Sequence, residues 1–177
     1  MSDPLRPLRV NALELLRQPG STRRVSAELA GGDLDAEHAS LDGDVLIDVE
    51  LESTNTGIDV RGVVEAPWRG QCRRCLTEVR GLAVADVDER YRPDTVDPGA
   101  GMPVDDEAYP IEQQQLDLAP MARQLVLLEL DDERLCRADC AGLCPVCGID
   151  RNDAACECDT TIKDDRWAAL DGLVLDD

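Results

Sequence analysis

Cysteine spacing constrains this chain more than any other feature. Cys136, Cys140, Cys144, Cys147, Cys156 and Cys158 crowd into residues 136–158, and Cys72 and Cys75 stand about sixty residues upstream. Eight thiols make two sets of four. A tetrahedral zinc ion takes four thiolates at about 2.3 Å, and a C-x2-C turn presents two sulfurs to one ion without backbone strain. Cys144-Pro145-Val146-Cys147-Gly148 is the stronger such turn, because the proline stiffens it and the glycine accepts the positive φ its exit wants.

Residues 1–20 lack the apolar core of a secretory signal, and no stretch approaches the roughly 20 apolar residues of a membrane span. A cytoplasmic location is therefore expected, with no membrane partner. In a reducing compartment, clustered cysteines serve as metal ligands rather than disulfides. Metal also answers a deficit of core material: with 177 residues, no Phe, two Trp and two Tyr, the interior must be built from Val, Leu, Ile and Ala. Metal cross-links compensate for such a core.

The formal charge of −20 argues against affinity won by wrapping nucleic-acid phosphates, which needs cations to displace counterions. It favours a basic partner or plain solubility. The cations that exist are clustered. Five lie in residues 1–24, and Arg61, Arg69, Arg73, Arg74 and Arg80 surround the first cysteine pair.

In chain order, residues 10–16 form a short amphipathic helix that Pro19-Gly20 ends. Residues 24–29 alternate with period two, as a strand does. The loop that follows carries His38, the one histidine, to which a solvated position and no role are assigned. Val45, Ile47, Val49 and Leu51 share one strand face opposite Asp48, Glu50 and Glu52; residues 53–57 turn the chain, and Ile58, Val60 and Val64 resume the alternation. The second strand runs into Cys72–Cys75 and residues 79–91 return, so the first cysteine pair sits at a hairpin tip. Residues 92–110 are rich in Pro, Gly and Asp and read as an acidic loop. Residues 116–130 form the best helix, with Asp117 as N-cap, Pro120 in the first turn, and Leu118, Met121, Leu125 and Leu128 on one face. A capping box at Thr161 and Asp164 opens a last helix through Trp167 and Leu170.

The expected fold is α+β: an antiparallel, curled sheet packed by the long helix, followed by a cysteine-rich zinc-binding segment. Residues 1–130 form the first domain, with the Cys72/Cys75 tip and the 92–110 loop; residues 131–177 form the second. The preferred ligand accounting puts Cys144, Cys147, Cys156 and Cys158 on one zinc and Cys72, Cys75, Cys136 and Cys140 on another. Its rival is one zinc shared by the two C-x2-C turns. Four thiolates give Zn²⁺ a net −2, which Arg73, Arg74, Arg137 or Arg151 would offset. A zinc closed by four cysteines has no open position for water. No nucleophile elbow, phosphate loop or dinucleotide fingerprint is present, so neither enzyme activity nor a small-molecule substrate is expected.

These residues carry a resemblance. The string from Glu14 to Ser21, the Gly70-Gln-Cys-Arg-Arg-Cys-Leu76 tip, Leu116-Asp-Leu-Ala-Pro120 before a leucine-rich helix, the Leu135–Gly148 cysteine pattern and Asp165-Arg-Trp-Ala-Ala-Leu170 resemble the YceD-type large ribosomal RNA subunit accumulation proteins in their cysteine-rich actinobacterial form. The resemblance implies a factor needed for normal levels of large-subunit ribosomal RNA. In the related form histidines stand where this chain has Cys156 and Cys158, an exchange that preserves a zinc tetrad. Asp165 here meets Arg166 directly, where the related form has an intervening proline.

Two functional readings follow. One is a zinc-stabilised adaptor whose acidic surface holds a basic ribosomal protein or a large-subunit precursor. The other is a direct binder of ribosomal RNA through Arg61, Arg69, Arg73, Arg74 and Arg80.

Overall fold

Alternation of apolar and charged residues builds the sheet. Along β3 (Val45–Ser53) every second side chain is buried, from Val45 through Ile47, Val49 and Leu51 to Ser53, while Glu50 and Glu52 face outward. A strand's side chains alternate across its two faces, so this pattern leaves one face for the core and one for solvent. The computed structural model describes residues 3–93, 108–130, 134–160 and Arg166. The chain divides into two units, Met1–Gly70 with Val79–Glu133, and Gln71–Glu78 with Arg134–Asp177. Residues 71–78, placed with residues 1–130 in the sequence reading, thus group with the cysteine segment.

The first unit is α+β. Its main sheet has the order β2 (Thr22–Leu29), β3, β4 (Ile58–Gln71), β5 (Glu78–Pro93), β6 (Tyr109–Ile111). The β2–β3 and β3–β4 pairs are antiparallel, with Val25 opposite Val49 and Leu51 opposite Val60. The sheet is nonetheless mixed, because β6 runs parallel to β5, pairing Tyr91 with Tyr109. A parallel neighbour needs a crossover of a dozen or more residues, and the stretch between Pro93 and Tyr109 is long enough. Most of the expected acidic loop, residues 94–107, lies outside the described residues, as do Thr161, Asp164 and the helix expected over Trp167 and Leu170.

A second, two-stranded sheet pairs β1 (Arg9–Asn11) with β7 (Gln115–Asp117), antiparallel. It accounts for two departures from the sequence reading. Val10 enters β1, so the first helix shrinks to α1 (Ala12–Leu16), capped by Asn11 Oδ1 accepting from the Leu13 N–H at 3.0 Å. Leu116 enters β7 opposite Val10, so the long helix starts later, as α2 (Ala119–Leu130). Asp117 still caps it, its Oδ1 accepting from the Ala119 N–H at 2.9 Å. Pairing across a ladder outweighs the weak helical preference of three residues.

Helix α2 buries Met121, Ala122, Val126 and Leu130 in the core that includes Ile47, Leu51, Ile58 and Val60. The buried stripe is rotated from the expected one: Leu118 and Met121 are in it, but Leu128 is 62% exposed. Among the described residues Tyr91 is the largest fully buried side chain, and it supplies bulk that this phenylalanine-free core otherwise lacks. Its hydroxyl donates to the Asp117 carbonyl at 3.2 Å, and its ring stacks on Tyr109 with centroids 5.1 Å apart. Burial, reinforced by the neighbouring Tyr109 and Asp117, pushes the Tyr91 phenol well above its ordinary pKa. His38 is half-buried rather than solvated, and its Nδ1 accepts from the Ser40 N–H at 3.2 Å. Among the described residues no helix is long and apolar enough to cross a membrane.

Ser53 ends the core face of β3 at 1% exposure, and its hydroxyl has no hydrogen-bond partner. A buried unpaired hydroxyl carries a desolvation cost of about 1 kcal/mol or more. Ser53→Ala should therefore stabilise the protein by about 1 kcal/mol, read as a higher denaturant midpoint at unchanged slope.

Candidate metal centres

The two C-x2-C turns share one backbone design. In the first, the Cys72 N–H donates to the Thr77 carbonyl at 2.8 Å and the Leu76 N–H donates to the Cys72 carbonyl at 2.9 Å. In the second, Cys144 and Ile149 repeat the first bond at 2.8 Å, and Gly148 and Cys144 the second at 2.9 Å. The residue after the second cysteine must turn left-handed. Gly148 does so at φ +73° with no Cβ to clash. Leu76 takes the same position at φ +61°, where an L side chain is strained by roughly 1–2 kcal/mol. Its side chain is 55% exposed, so burial does not offset that strain.

These turns bring the eight thiols, all free, into two groups: Cys72, Cys75, Cys136 and Cys140, and Cys144, Cys147, Cys156 and Cys158. Within each group the four sulfurs lie within 4.8 Å of one another. Cys72 and Cys140 sulfurs are 3.8 Å apart, and those of Cys75 and Cys136 3.6 Å. A regular tetrahedron with metal–sulfur bonds of about 2.3 Å has edges of about 3.8 Å. Each tetrad therefore fits one thiophilic divalent ion. The grouping is the preferred accounting from the sequence, and the rival, both C-x2-C turns on one ion, is not the arrangement found. Both tetrads lie in the second unit.

Backbone amides prepare the first cysteine of each turn as a thiolate. Burial alone would raise the Cys72 thiol, but N–H groups of Cys136, Cys75 and Arg74 aimed at its sulfur outweigh burial and lower it to about 6. The N–H groups of Cys147 and Val146 likewise lower Cys144 to about 6. Their partners hold the shared protons. Cys136 is pushed up to about 12, chiefly by its contact with Cys140, and Cys158 to about 12, chiefly by Cys147.

The second unit braces itself around these sulfurs. Leu143 N–H donates to the Arg74 carbonyl at 2.9 Å, Arg74 Nη1 donates to the Cys140 carbonyl at 3.0 Å, and the Arg73 N–H donates to the Arg134 carbonyl at 3.0 Å. Gly142 stands so close that a Cβ there would sit 2.9 Å from the Arg74 carbonyl oxygen. Sequence reasoning missed the central brace, Asn152. Its Nδ2 donates to Cys140 Sγ at 3.4 Å, while its Oδ1 accepts from the Ala141 N–H at 2.8 Å and from Arg137 at 2.7 Å. An amide flanked by Asp150 and Asp153 between two cysteine pairs was the available signal.

Two of the arginines expected to offset the sulfur charge, Arg74 and Arg137, act one step removed. Arg137 reaches Asn152 and Asp139 rather than a thiolate. Of the five considered for RNA or partner contact, Arg61, Arg69 and Arg80 belong to the first unit and Arg73 and Arg74 to the second. Arg61 faces Glu52 at 3.4 Å, Asp59 at 3.8 Å and Asp88 at 3.3 Å, and Arg69 faces Asp42 at 3.3 Å.

Comparison with known proteins agrees with this pattern. Residues 60–174 match the family described as "Large ribosomal RNA subunit accumulation protein YceD". An uncharacterized protein of Mycobacterium tuberculosis is 32% identical over 168 residues, covering 93% of this chain and 80% of that relative. Chloroplastic large ribosomal RNA subunit accumulation protein YCED homolog 1 is 32% identical over 65 residues in Arabidopsis thaliana, covering 37% of this chain and 20% of the relative. The Zea mays protein of that name is 25% identical over 171 residues, covering 81% and 58%. No solved structure matches.

Two outcomes are expected at the turns. Leu76→Gly should relieve strain and stabilise the metal-loaded protein by about 1 kcal/mol, whereas Gly148→Leu should cost roughly 1–2 kcal/mol, both read from thermal unfolding. Metal uptake must also strip protons from the raised thiols. Thiolates persist above the lowered pKa values and are lost as pH falls through about 6 for Cys72 and Cys144, so apparent zinc affinity should be much weaker at about pH 6 than at about pH 8 in competition titrations.

Proposed function

The chain belongs to the YceD family of large ribosomal RNA subunit accumulation proteins, and from that membership we propose a non-catalytic, zinc-stabilised factor that supports accumulation of large-subunit ribosomal RNA in the cytoplasm. It does so by holding a basic ribosomal protein or an assembly intermediate. Zinc is the ion that all-thiolate tetrads of this spacing favour, and a four-cysteine site is closed to water, so its role is to hold the fold.

The observation that carries the adaptor reading is the outward face of the main sheet. Glu50 and Glu52 of β3, Asp59 and Glu65 of β4, and Asp86 and Asp88 of β5 all point away from the buried side chains of their strands. On that face Glu52 stands directly opposite Asp59, an acid against an acid, while Glu50 stands between Arg24 and Arg61. Like charges opposed on a sheet are destabilising, and a basic partner would relieve the repulsion. Arg61 on that face already answers Glu52, Asp59 and Asp88, as Arg24 answers Asp48, which counts against its use as a phosphate clamp.

Two measurements test the reading. Elemental analysis of the purified chain should give close to two zinc ions, and Cys72→Ser and Cys144→Ser should each lose one. Gradient sedimentation from lysate, with and without RNase, should show a protein complex that survives RNase and dissolves when Glu50, Glu52, Asp86 and Asp88 are made neutral. Co-migration with large-subunit precursors that RNase abolishes, with a steep salt dependence and loss in Arg73→Glu/Arg74→Glu, would replace the adaptor with the direct RNA binder.

A further inference from the structure

The two tetrads rest on the same turn, yet they are not protected equally. In the first, Cys72, Cys75 and Cys140 are 0%, 6% and 3% exposed, and only Cys136 is open to solvent. In the second, Cys144 alone is buried; Cys147 is exposed, and Cys156 and Cys158 are half-exposed. An incoming thiol or chelator meets one accessible cysteine at the first tetrad and three at the second.

Three further differences point the same way. The first tetrad joins distant segments, Cys75 and Cys136 being 61 residues apart. The second lies wholly within residues 144–158, so a local opening of one short stretch suffices to break it. Asn152 donates to a sulfur of the first tetrad and fixes the neighbouring backbone through Ala141. Thr77 Oγ1 also lies 3.3 Å from Cys75 Sγ. Outer contacts of this kind typically hold metal affinity by 10–100-fold.

We infer that Cys144, Cys147, Cys156 and Cys158 form an exchangeable site that trades its ion with a free pool of thiophilic divalent metal, while Cys72, Cys75, Cys136 and Cys140 hold a permanent one. The inference rests on the two-zinc reading above and adds a division of labour within it. The ligand segments 144–148 and 156–158 then open with the supply of metal, while Asn152 stays on Cys140 and residues 72–75 remain tied to residues 136–140 throughout.

The test uses the full chain loaded with zinc, challenged with an excess of a chromogenic chelator while iodoacetamide labels thiols as they are freed. Peptide mass spectrometry follows the labels. Release should occur in two phases, the first at least about tenfold faster than the second, with Cys147, Cys156 and Cys158 labelled before Cys75 and Cys136. Equimolar Cd²⁺ in place of the chelator should give a species with one zinc and one cadmium. Asn152→Ala should speed the slow phase by about tenfold and leave the fast phase unchanged; should that variant not fold, the wild-type labelling order decides alone. Simultaneous release, or labelling of the first tetrad ahead of the second, would overturn the ranking. A starting content below two zinc ions would instead sink the two-zinc reading, and the ranking with it.

Discussion

Everything in the second unit depends on backbone amides pointed at sulfur. Amides converge on the first cysteine of each C-x2-C turn, for Cys72 foremost that of Cys136 from the downstream segment, and this convergence lowers Cys72 and Cys144 to about 6 despite burial. Four thiolates cannot be packed within 4.8 Å of one another without a cation to hold them. Each grouping could therefore hold one metal ion. The first grouping also explains how residues 71–78, which lie between two long strands, come to belong with residues 134 onward. Closing a loop of that length is where a cross-link contributes most in principle, and a chain with 2% aromatic residues has few other means.

Charge follows from the same constraint. Four thiolates on a divalent ion carry a net −2, and Arg73, Arg74, Arg134, Arg137 and Arg151 all fall in the unit that would carry that charge. Arg74 and Arg137 donate to the Cys140 carbonyl and the Asn152 amide oxygen, which in turn orient the ligand loop. Cations placed one layer out offset the field without competing with the metal for thiolates. In the first unit carboxylates are spread over the outward sheet face, and Arg61 is shared among three of them.

Much of this was legible in the sequence, and the reasons differ from place to place. The β3–β4 hairpin was readable because period-two alternation directly encodes a half-buried sheet. The tetrads were readable because metal geometry tolerates few cysteine spacings, and the pairing of Cys72 and Cys75 with Cys136 and Cys140 followed once the local set was closed. The start of α2 was not readable, since Leu116 fits a helix by itself and is claimed for β7 only by Val10, more than a hundred residues away. The parallel β6 was hidden for the same reason, three residues whose partner is set by tertiary context. Asn152 and the left-handed Leu76 were invisible because one acts through a single N–H and the other through a dihedral angle, and neither leaves a periodic trace.

Leu76 and Gly148 show what the repeated turn is free to vary. Both turns keep the hydrogen bonds that aim the amides, so those are what metal binding requires. The exit residue is not under the same demand: one turn uses the strain-free glycine, the other tolerates a strained, exposed leucine. The first turn can absorb that cost because it is held from outside, by Leu143 on the Arg74 carbonyl and by Arg134 on the Arg73 amide. The second turn has a glycine and a proline to hold its shape from within and fewer buried sulfurs around it. Two turns of one design thus reach stability by different routes, one through its surroundings and the other through its own loop.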